Sequence, residues 1–584
     1  VHIYLKRLFN VLNNEDNSHE PSHLKDFPYV NGDLFRKKIK CPKFNKEARQ
    51  IVKECGELRW NEINPDIFGS MIQAVVNPDP EKRGGLGMHY TSVPNIMKVI
   101  EPLFLNDLKD EFEKAKGNVN KLNKLIYRIS NIKIFDPACG SGNFLIITYK
   151  ELRRLEIDIL AEINDLSSQT SIVFTHIKLS QFYGIELDDF AHEMAILSLW
   201  LAEHQMNKIF EETLFDFGRS NPILPLKEAG QITQGNATRE DWKKACPITK
   251  TDEVYIIGNP PYLGYSRQDN DQKDDMKIVF SRINNYKKLD YIACWFYKAT
   301  YYIQNSKGKY AFVTTNSITQ GEQVALLWPL ILNKGQEIDF AHQSFKWTNN
   351  AKGNAGVAVV IIGIRNIDNS DKFLYNQNFK QSVKNISPYL TNTSNVYVTS
   401  RTKPLSNLPP MIKGSSPGDN GNLLLDQDEK DELISQNPNA KKFIKKYIGA
   451  SEFIKGTNRY CIHITEKTVK EAYKIKALDE RFEKVEIFRL NSKKKATQKK
   501  AENPHFFDED KHQKGEFILV PQTGSERRKY IPIGYFNDSY VASNATRIIY
   551  QAEPWLFGMI SSKMHIVWVK AIAGRLKMDM QYTN

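Results

Sequence analysis

The stretch Val254-Tyr255-Ile256-Ile257-Gly258-Asn259-Pro260-Pro261-Tyr262-Leu263-Gly264-Tyr265 decides the fold class of this 584-residue chain. Four apolar, β-prone residues followed by Gly-Asn-Pro-Pro read as a short buried strand, Val254 to Ile257, ended by a turn. Working outward, strand and helix patterns alternate. Upstream, Lys133 to Asp136 reads as a strand, Pro137 to Gly142 as a tight turn and Asn143 to Leu152 as a helix. Strand Phe182 to Glu186, helix Asp189 to His204 and a third strand, Ile232 to Asn236, follow. Downstream come helix Asp290 to Ile303, strand Lys309 to Thr314 and helix Glu322 to Leu332, then strands near Ile338 to His342 and Val357 to Ile362. Such alternation predicts an α/β fold, a parallel sheet with helices on both faces. Ligands of such sheets collect at the carboxyl ends of the strands.

Asp136, Glu186, Asn236 and Asn259 all fall at those ends. In the turn Asp136-Pro137-Ala138-Cys139-Gly140-Ser141-Gly142, the glycines remove side chains where a ligand touches backbone. The turn lacks the third glycine of the dinucleotide fingerprint and the Gly-Lys-Ser/Thr of a phosphate loop, so a ligand without phosphates is expected. Glu186 sits where a second-strand carboxylate holds ribose hydroxyls; the alternative is a helix-capping acid. Asn236 is expected near an adenine edge.

The loop Asn259 to Tyr262 is either a plain strand-ending turn or a site for one particular chemistry. An adenine amino group is a poor nucleophile because its lone pair is delocalised into the ring. The Asn259 side-chain oxygen and the Pro260 carbonyl are placed to accept its two N–H bonds, aiming the lone pair at an incoming methyl group. Pro260 and Pro261 lack an N–H and fix φ, which stiffens the loop. Tyr262 offers a face for a flipped-out base. Phe345 or Trp347, in Phe345-Lys346-Trp347, is placed to wall that pocket opposite Tyr262, with a core role as the alternative.

Composition bounds the partners. The 81 Lys+Arg against 68 Asp+Glu give a formal charge of +13, which suits a polyanion. The six cysteines are scattered with no Cys-x-x-Cys pair, so neither a zinc site nor a disulfide framework is indicated, and a reducing cytoplasm fits. No metal is expected. The longest apolar run, about Val357 to Ile362, is too short to span a bilayer. No secretory signal opens the chain. It begins at Val1 rather than Met, and a missing N-terminus is expected.

The flanks read differently from the centre. Residues 1–85 look helical, with Lys46 to Leu58 and Ile67 to Val76 at helical apolar spacing, and are expected to be a spacer. The glycine-rich loop Gly84 to Ser92 leads into a helix from Pro94 to about Leu108, and a basic helical segment spans Lys114 to Arg128. Beyond about 366, Asn, Ser, Pro and Gly rise and regular alternation stops, which predicts a second domain. Its runs Lys493-Lys494-Lys495, Lys499-Lys500 and Arg527-Arg528-Lys529 suit phosphate contact.

In this order, His89-Tyr90-Thr91, the Asp136 to Gly142 turn, Glu186 and Asn259-Pro260-Pro261-Tyr262 resemble the gamma-type amino-methyltransferases, which methylate adenine N6 in DNA with S-adenosylmethionine. Phe27-Pro28-Tyr29-Val30-Asn31-Gly32, Leu86 to Ser92, Phe345-Lys346-Trp347, Arg459-Tyr460-Cys461, Tyr530 to Gly534 and Gly574-Arg575-Leu576 look like the MmeI-like, type IIL restriction–modification family. The resemblance implies a Rossmann-like class I methyltransferase domain at 86–365, a helical spacer before it at 1–85 and a mixed α+β target-recognition domain at 366–584. It implies that Tyr90 and Thr91 close over the cofactor's methionine end. Asp136, Ala138, Gly140 and Gly142 then form the cofactor loop, Glu186 holds the ribose and Asn236 meets the cofactor adenine. Family members often carry Asp at that last position. The family's nuclease needs an Asp and a Glu-x-Lys on neighbouring strands. The one Glu-x-Lys noted, Glu509-Asp510-Lys511, reads as a polar surface loop, so the nuclease is expected to be missing from this chain.

The activity expected is that of an adenine-specific, site-specific DNA methyltransferase acting on duplex DNA within a restriction–modification system. Alternatives are a stand-alone or phage-defence methyltransferase, and a non-catalytic DNA-specificity subunit. Within the recognition region, Lys577 and Asp579 are a donor and an acceptor two residues apart. In an extended segment they face the same way and read one G·C pair, with a surface ion pair as the alternative.

Overall fold

The computed structural model describes residues 1–14, 16–25, 27, 29, 41–58, 91–167, 172–215, 218–219, 231–346, 358–376, 379–401, 405–525, 527–576 and 579–582. They divide into two units, one of Val1–Thr319 with Gln323–Tyr397, the other of Val398–Asn584 with Gln320–Glu322.

The first unit is built on a nine-stranded sheet. In chain order its strands are β1 (Lys133–Asp136), β2 (Phe182–Glu186), β3 (Gln231–Gln234), β4 (Val254–Gly258), β5 (Lys309–Thr315), β6 (Gln336–Lys346), β7 (Ala358–Asn366), β8 (Lys372–Asn376) and β9 (Phe379–Val383). Their spatial order is β9-β8-β6-β7-β5-β4-β1-β2-β3. The half from β5 to β3 is parallel throughout. The chain order of its neighbours reverses beside β1, a switch point where such sheets open a crevice.

The period-2 rule assigns its faces. Ile134, Tyr255, Ile257, Ala311 and Val313 enter one core, with residues of the helices Val93–Ile100, Asn143–Leu166 and Asp189–Thr213. Phe135, Val254, Ile256, Tyr310 and Phe312 enter the other, with residues of the helices Asn270–Val279, Ala293–Ile303 and Gly321–Leu332. A strand covered on both faces shows no alternation, which is why Val254 to Ile257 reads as a continuous apolar run. Each such side chain contributes about 1.5–3 kcal/mol when fully buried.

The sheet differs from an all-parallel one. β7 runs antiparallel to both β5 and β6, and β8 and β9 also pair antiparallel. β6 and β7 are consecutive in the chain and direct neighbours in the sheet, the arrangement of a hairpin rather than a crossover. β8 and β9 lie beyond residue 366, where the composition changes, yet extend the same sheet. Their short, half-exposed strands carry little apolar periodicity.

Several helices run further than their apolar spacing indicates. The helix after β1 continues to Leu166 and the one after β2 to Thr213. The helix beginning at Val93, with Ser92 as its N-cap residue, continues through a π-turn at Glu101–Leu105 to Ala115. Gly117, at φ +75°, then breaks the segment read as one helix from Lys114, and Asn118 caps a new helix, Val119–Ile129. Near the N-terminus, Asn45 caps Lys46–Glu57. The expected helix Ile67 to Val76 lies outside the described residues.

The second unit is mixed α+β. An antiparallel sheet orders Met411–Lys413, Thr546–Tyr550, Phe517–Pro521 and Gly534–Phe536. A second four-stranded sheet and a small three-stranded one accompany it. Buried Arg489 ties the loops together by donating to the carbonyls of Pro417, Gly418, Lys500, Asn503 and Phe506. No helix among the described residues is long and apolar enough to cross a membrane. All six cysteines are free thiols.

Candidate active site

The carboxyl ends of β1, β2 and β4 form the crevice. Gly140 (φ +55°) and Gly142 (φ +86°) turn the chain after β1 in the left-handed region that favours glycine. A Cβ on Gly142 would lie 3.3 Å from Ala195 of the following helix, whereas one on Gly140 would meet no protein atom within 4 Å. Gly142 is thus required by packing, and Gly140 borders open space. The turn is braced from behind, because the Trp295 indole donates to the Pro137 carbonyl at 3.1 Å.

Two carboxylates face this turn. Asp136 is 1 % exposed; its Oδ1 accepts the Ala138 N–H at 3.0 Å, while its buried Oδ2 has no partner. Burial pushes its pKa up to about 8, opposed by the Ala138 N–H and assisted by the negative Glu186. Glu186 accepts from Gly140 N at 2.7 Å and Asp188 N at 3.0 Å, and burial raises its pKa as well. The helix following β2 is capped instead by Asp188, which accepts from Ala191 N at 2.8 Å.

Asn236 lies just beyond β3 with its amide engaged internally. It donates to Asp275 at 3.0 Å and accepts from the Thr238 amide and hydroxyl at 3.0 and 2.7 Å. Asp275 also receives Tyr291 at 2.7 Å and Arg239 at 2.6 Å. Lys298 holds the next turn through the carbonyls of Ala237, Thr238 and Glu240; burial pushes it down to about 8.

β4 ends against Asp136. A Cβ on Gly258 would lie 2.7 Å from Asp136 Oδ1, so glycine there lets the loop at 259–262 approach the turn at 136–142. Asn259 Nδ2 donates to the hydroxyl of Thr91, itself 3 % exposed, at 3.3 Å. Its other amide atom, Oδ1, is buried and has no partner. Unsatisfied buried acceptors are uncommon and costly, and this one belongs to the residue that precedes Pro260-Pro261. Pro260 is buried, and Tyr262 packs on the core under the loop with its hydroxyl pKa raised by burial.

Phe345 lies near the carboxyl end of β6, half-buried, with the Lys98 ammonium 4.4 Å above its ring. Tyr90, Trp347 and Lys577 lie outside the described residues. Arg527, Arg528 and Asp579 belong to the second unit and are exposed. Arg528 borders a shallow pocket with Ser525, Tyr530, Met580 and Tyr582. The segment at 574–579 is not one extended strand. Arg575–Leu576 and Asp579–Gln581 pair antiparallel, Leu576 opposite Asp579, so Asp579 does not continue the strand of Arg575–Leu576. Glu509, Asp510 and Lys511 are exposed, and Asp510 pairs with His463 at 2.8 Å.

Asp290, Trp295, Lys298 and Asp275 are absent from the motif reading. Their roles depend on partners 27, 158, 61 and 39 positions away, which no local pattern records.

Residues 112–376 match the family model described as the MmeI DNA-methyltransferase domain, and residues 392–584 that of the MmeI target recognition domain. The chain is 47% identical over 578 residues to DNA methyltransferase A of Bacillus subtilis (strain 168), covering 99% of this chain and 65% of that protein. It is 27% identical over 202 residues to the type II restriction enzyme and methyltransferase RM.Eco57I of Escherichia coli, covering 31% of this chain and 19% of that protein. It thus spans less than two thirds of the length of these curated relatives. Among solved structures, that of the type IIL restriction–modification enzyme MmeI in complex with DNA superposes with a TM-score of 0.90 at 39% identity, over 100% of this chain and 78% of that one. The chain belongs to the MmeI family of type IIL restriction–modification proteins, whose methyltransferase and target recognition domains it carries.

Proposed function

We propose that this chain transfers a methyl group from S-adenosylmethionine to the N6 amino group of adenine at a specific site in duplex DNA, as the modification activity of a cytoplasmic restriction–modification system. The observation that carries the reading is the buried, unpartnered Oδ1 of Asn259 beside the Pro260-Pro261 backbone. An acceptor held this way needs an external N–H donor, and an exocyclic amino group supplies two.

The residues present fit the cofactor. The open space over Gly140 admits a ligand against backbone, and we assign the ribose hydroxyls to Glu186, which accepts the Gly140 N–H beside it. The unpartnered Asp136 oxygen suits the cationic end of the donor, whose charge would favour the ionised carboxylate. When bound, S-adenosylmethionine supplies an electrophilic methyl group. The chain's part is positional. Asn259 Oδ1 accepts one amino N–H and the Pro260 carbonyl the other, which directs the nitrogen lone pair at the methyl carbon. Tyr262 stacks on the base, with Phe345 as an opposite wall. With the donor bound, its methyl–sulfur bond would break as the N–C bond formed; both acceptor oxygens would stabilise the positive charge growing on the nitrogen until one N–H proton passed to water. Thr91, by fixing the Asn259 amide through Nδ2, keeps the acceptor oxygen turned to the substrate.

DNA binding is assigned to the net charge and to the second unit, through Arg527, Arg528, Lys577 and Asp579. The test is mutation of the acceptor. Asn259→Ala should keep cofactor affinity, measured by calorimetry, near wild type while lowering methyl transfer about 100- to 1000-fold. Turnover at the wild-type rate would remove Asn259 from the mechanism.

A further inference from the structure

The loop 259–262 is anchored at its far end by a residue that no motif signals. The Leu263 N–H donates to Asp290 Oδ1 at 2.9 Å. The Leu263 carbonyl accepts from Tyr291 N at 3.0 Å and from Gln268 Nε2 at 3.1 Å. Asp290 is 4 % exposed and makes further bonds of its own. Oδ1 also receives Ile292 N at 3.3 Å, Oδ2 receives the Ser317 hydroxyl at 3.2 Å, and its N–H donates to Gln323 at 3.0 Å. Ser317 in turn contacts Thr315 Oγ1 at 2.7 Å, at the end of β5. A continuous polar chain therefore links the carboxyl end of β5 to the residue after Tyr262.

We propose that Asp290 is a positioning residue for methyl transfer, setting the height and tilt of the 259–262 loop through Leu263. The geometry favours this over a purely local role. Prolines at 260 and 261 provide no amide hydrogen, so those two positions cannot anchor their own backbone by donation. Asn259 is held at one end through Thr91, and Leu263 at the other through the Asp290–Tyr291 segment and Gln268. A carboxylate accepts from several donors at once and ties the loop to β5 as well as to its own helix, which an amide or a water does less completely. Burial raises its pKa, and those donors oppose the rise. The inference rests on the methyltransferase reading above and adds a residue that touches neither base nor cofactor.

The experiment compares full-length wild type, Asp290→Ala, Asp290→Asn and Ser317→Ala for cofactor affinity, thermal stability, and the kcat and KM of methyl transfer to DNA. Asp290→Ala should lower kcat about 100-fold, as a displacement of the acceptors by roughly an ångström would. Its cofactor affinity should stay within about threefold of wild type. Asp290→Asn, which keeps the acceptor for Leu263 N–H, should recover most of kcat. Ser317→Ala should show a smaller fall confined to kcat, which keeps the test decisive if Asp290→Ala does not fold. An active wild type whose Asp290→Ala variant turns over normally overturns the positioning role. So does a variant losing stability and cofactor affinity in step with kcat, or a Ser317→Ala kcat equal to wild type when Asp290→Ala is insoluble. A wild type that binds cofactor and DNA but methylates nothing overturns the functional reading itself, and the inference with it.

Discussion

At the residue scale the site is defined by unfinished hydrogen bonding. Asn259 Oδ1 and Asp136 Oδ2 are buried acceptors without donors, whereas Glu186 and Asp290 nearby accept from backbone amides. The Asp136 carboxyl gives a pH signature. Its pKa rises from 3.8 to about 8 on folding, so between those values the native state binds more protons than the unfolded state. The stability it contributes is full below pH 3.8 and is lost as pH climbs through 8, with a slope approaching 1.4 kcal/mol per pH unit, roughly one proton's worth. Asp136→Asn should flatten this part of the stability profile in the cofactor-free protein, measured by denaturant melts from pH 4 to 9. Parallel profiles for variant and wild type would contradict the buried-acid account. Gly140→Val makes a complementary case. A branched side chain would fill the open space over the turn at an unfavourable φ, so cofactor binding should be abolished in isothermal titration. Retained affinity would reduce this turn to a structural one.

At the element scale, sequence and structure agree where information is local and part where it is not. The Val254 to Ile257 run, the glycines at 140 and 142 and the carboxylates closing β1 and β2 were legible because each is a contiguous pattern with its own physics. The antiparallel insertion of β7 was not legible, since an apolar run shows that a strand is buried without showing its direction. Nor was Asp290, which reads as the opening of a helix, or Trp295, which reads as core. Asn236, read from its place at the end of a strand, has internal partners in Asp275 and Thr238 that no local pattern records. The β6–β7 pairing carries its own prediction. A Cβ on Gly363 would fall 2.1 Å from the Phe340 ring, which is 1 % exposed and has nowhere to move. Gly363→Ala should cost about 1–3 kcal/mol, read as a lowered denaturation midpoint. A midpoint equal to wild type would show that the bulge beside Phe340 absorbs the methyl group.

At the whole-molecule scale, the proposed methyl-transfer site and the target recognition domain fall in different units. The crevice residues from Thr91 to Asp290 lie in the first unit, whereas Arg527, Arg528 and the hairpin at 575–581 lie in the second. Substitutions in the hairpin should therefore alter which sites are methylated without altering cofactor affinity. Asp579→Arg, which puts a donor where an exposed acceptor stands, should change the preferred base at one position of the site, each good contact being worth about 1–3 kcal/mol of discrimination. An active variant with an unchanged site would exclude Asp579 from base reading. The central claim is tested most directly by incubating the purified chain with duplex DNA and S-adenosylmethionine labelled on the methyl group, then digesting the DNA and identifying the labelled nucleoside. The account predicts label in N6-methyladenine alone, lost in Asn259→Ala; label in a cytosine derivative, or equal incorporation by that variant, would contradict it.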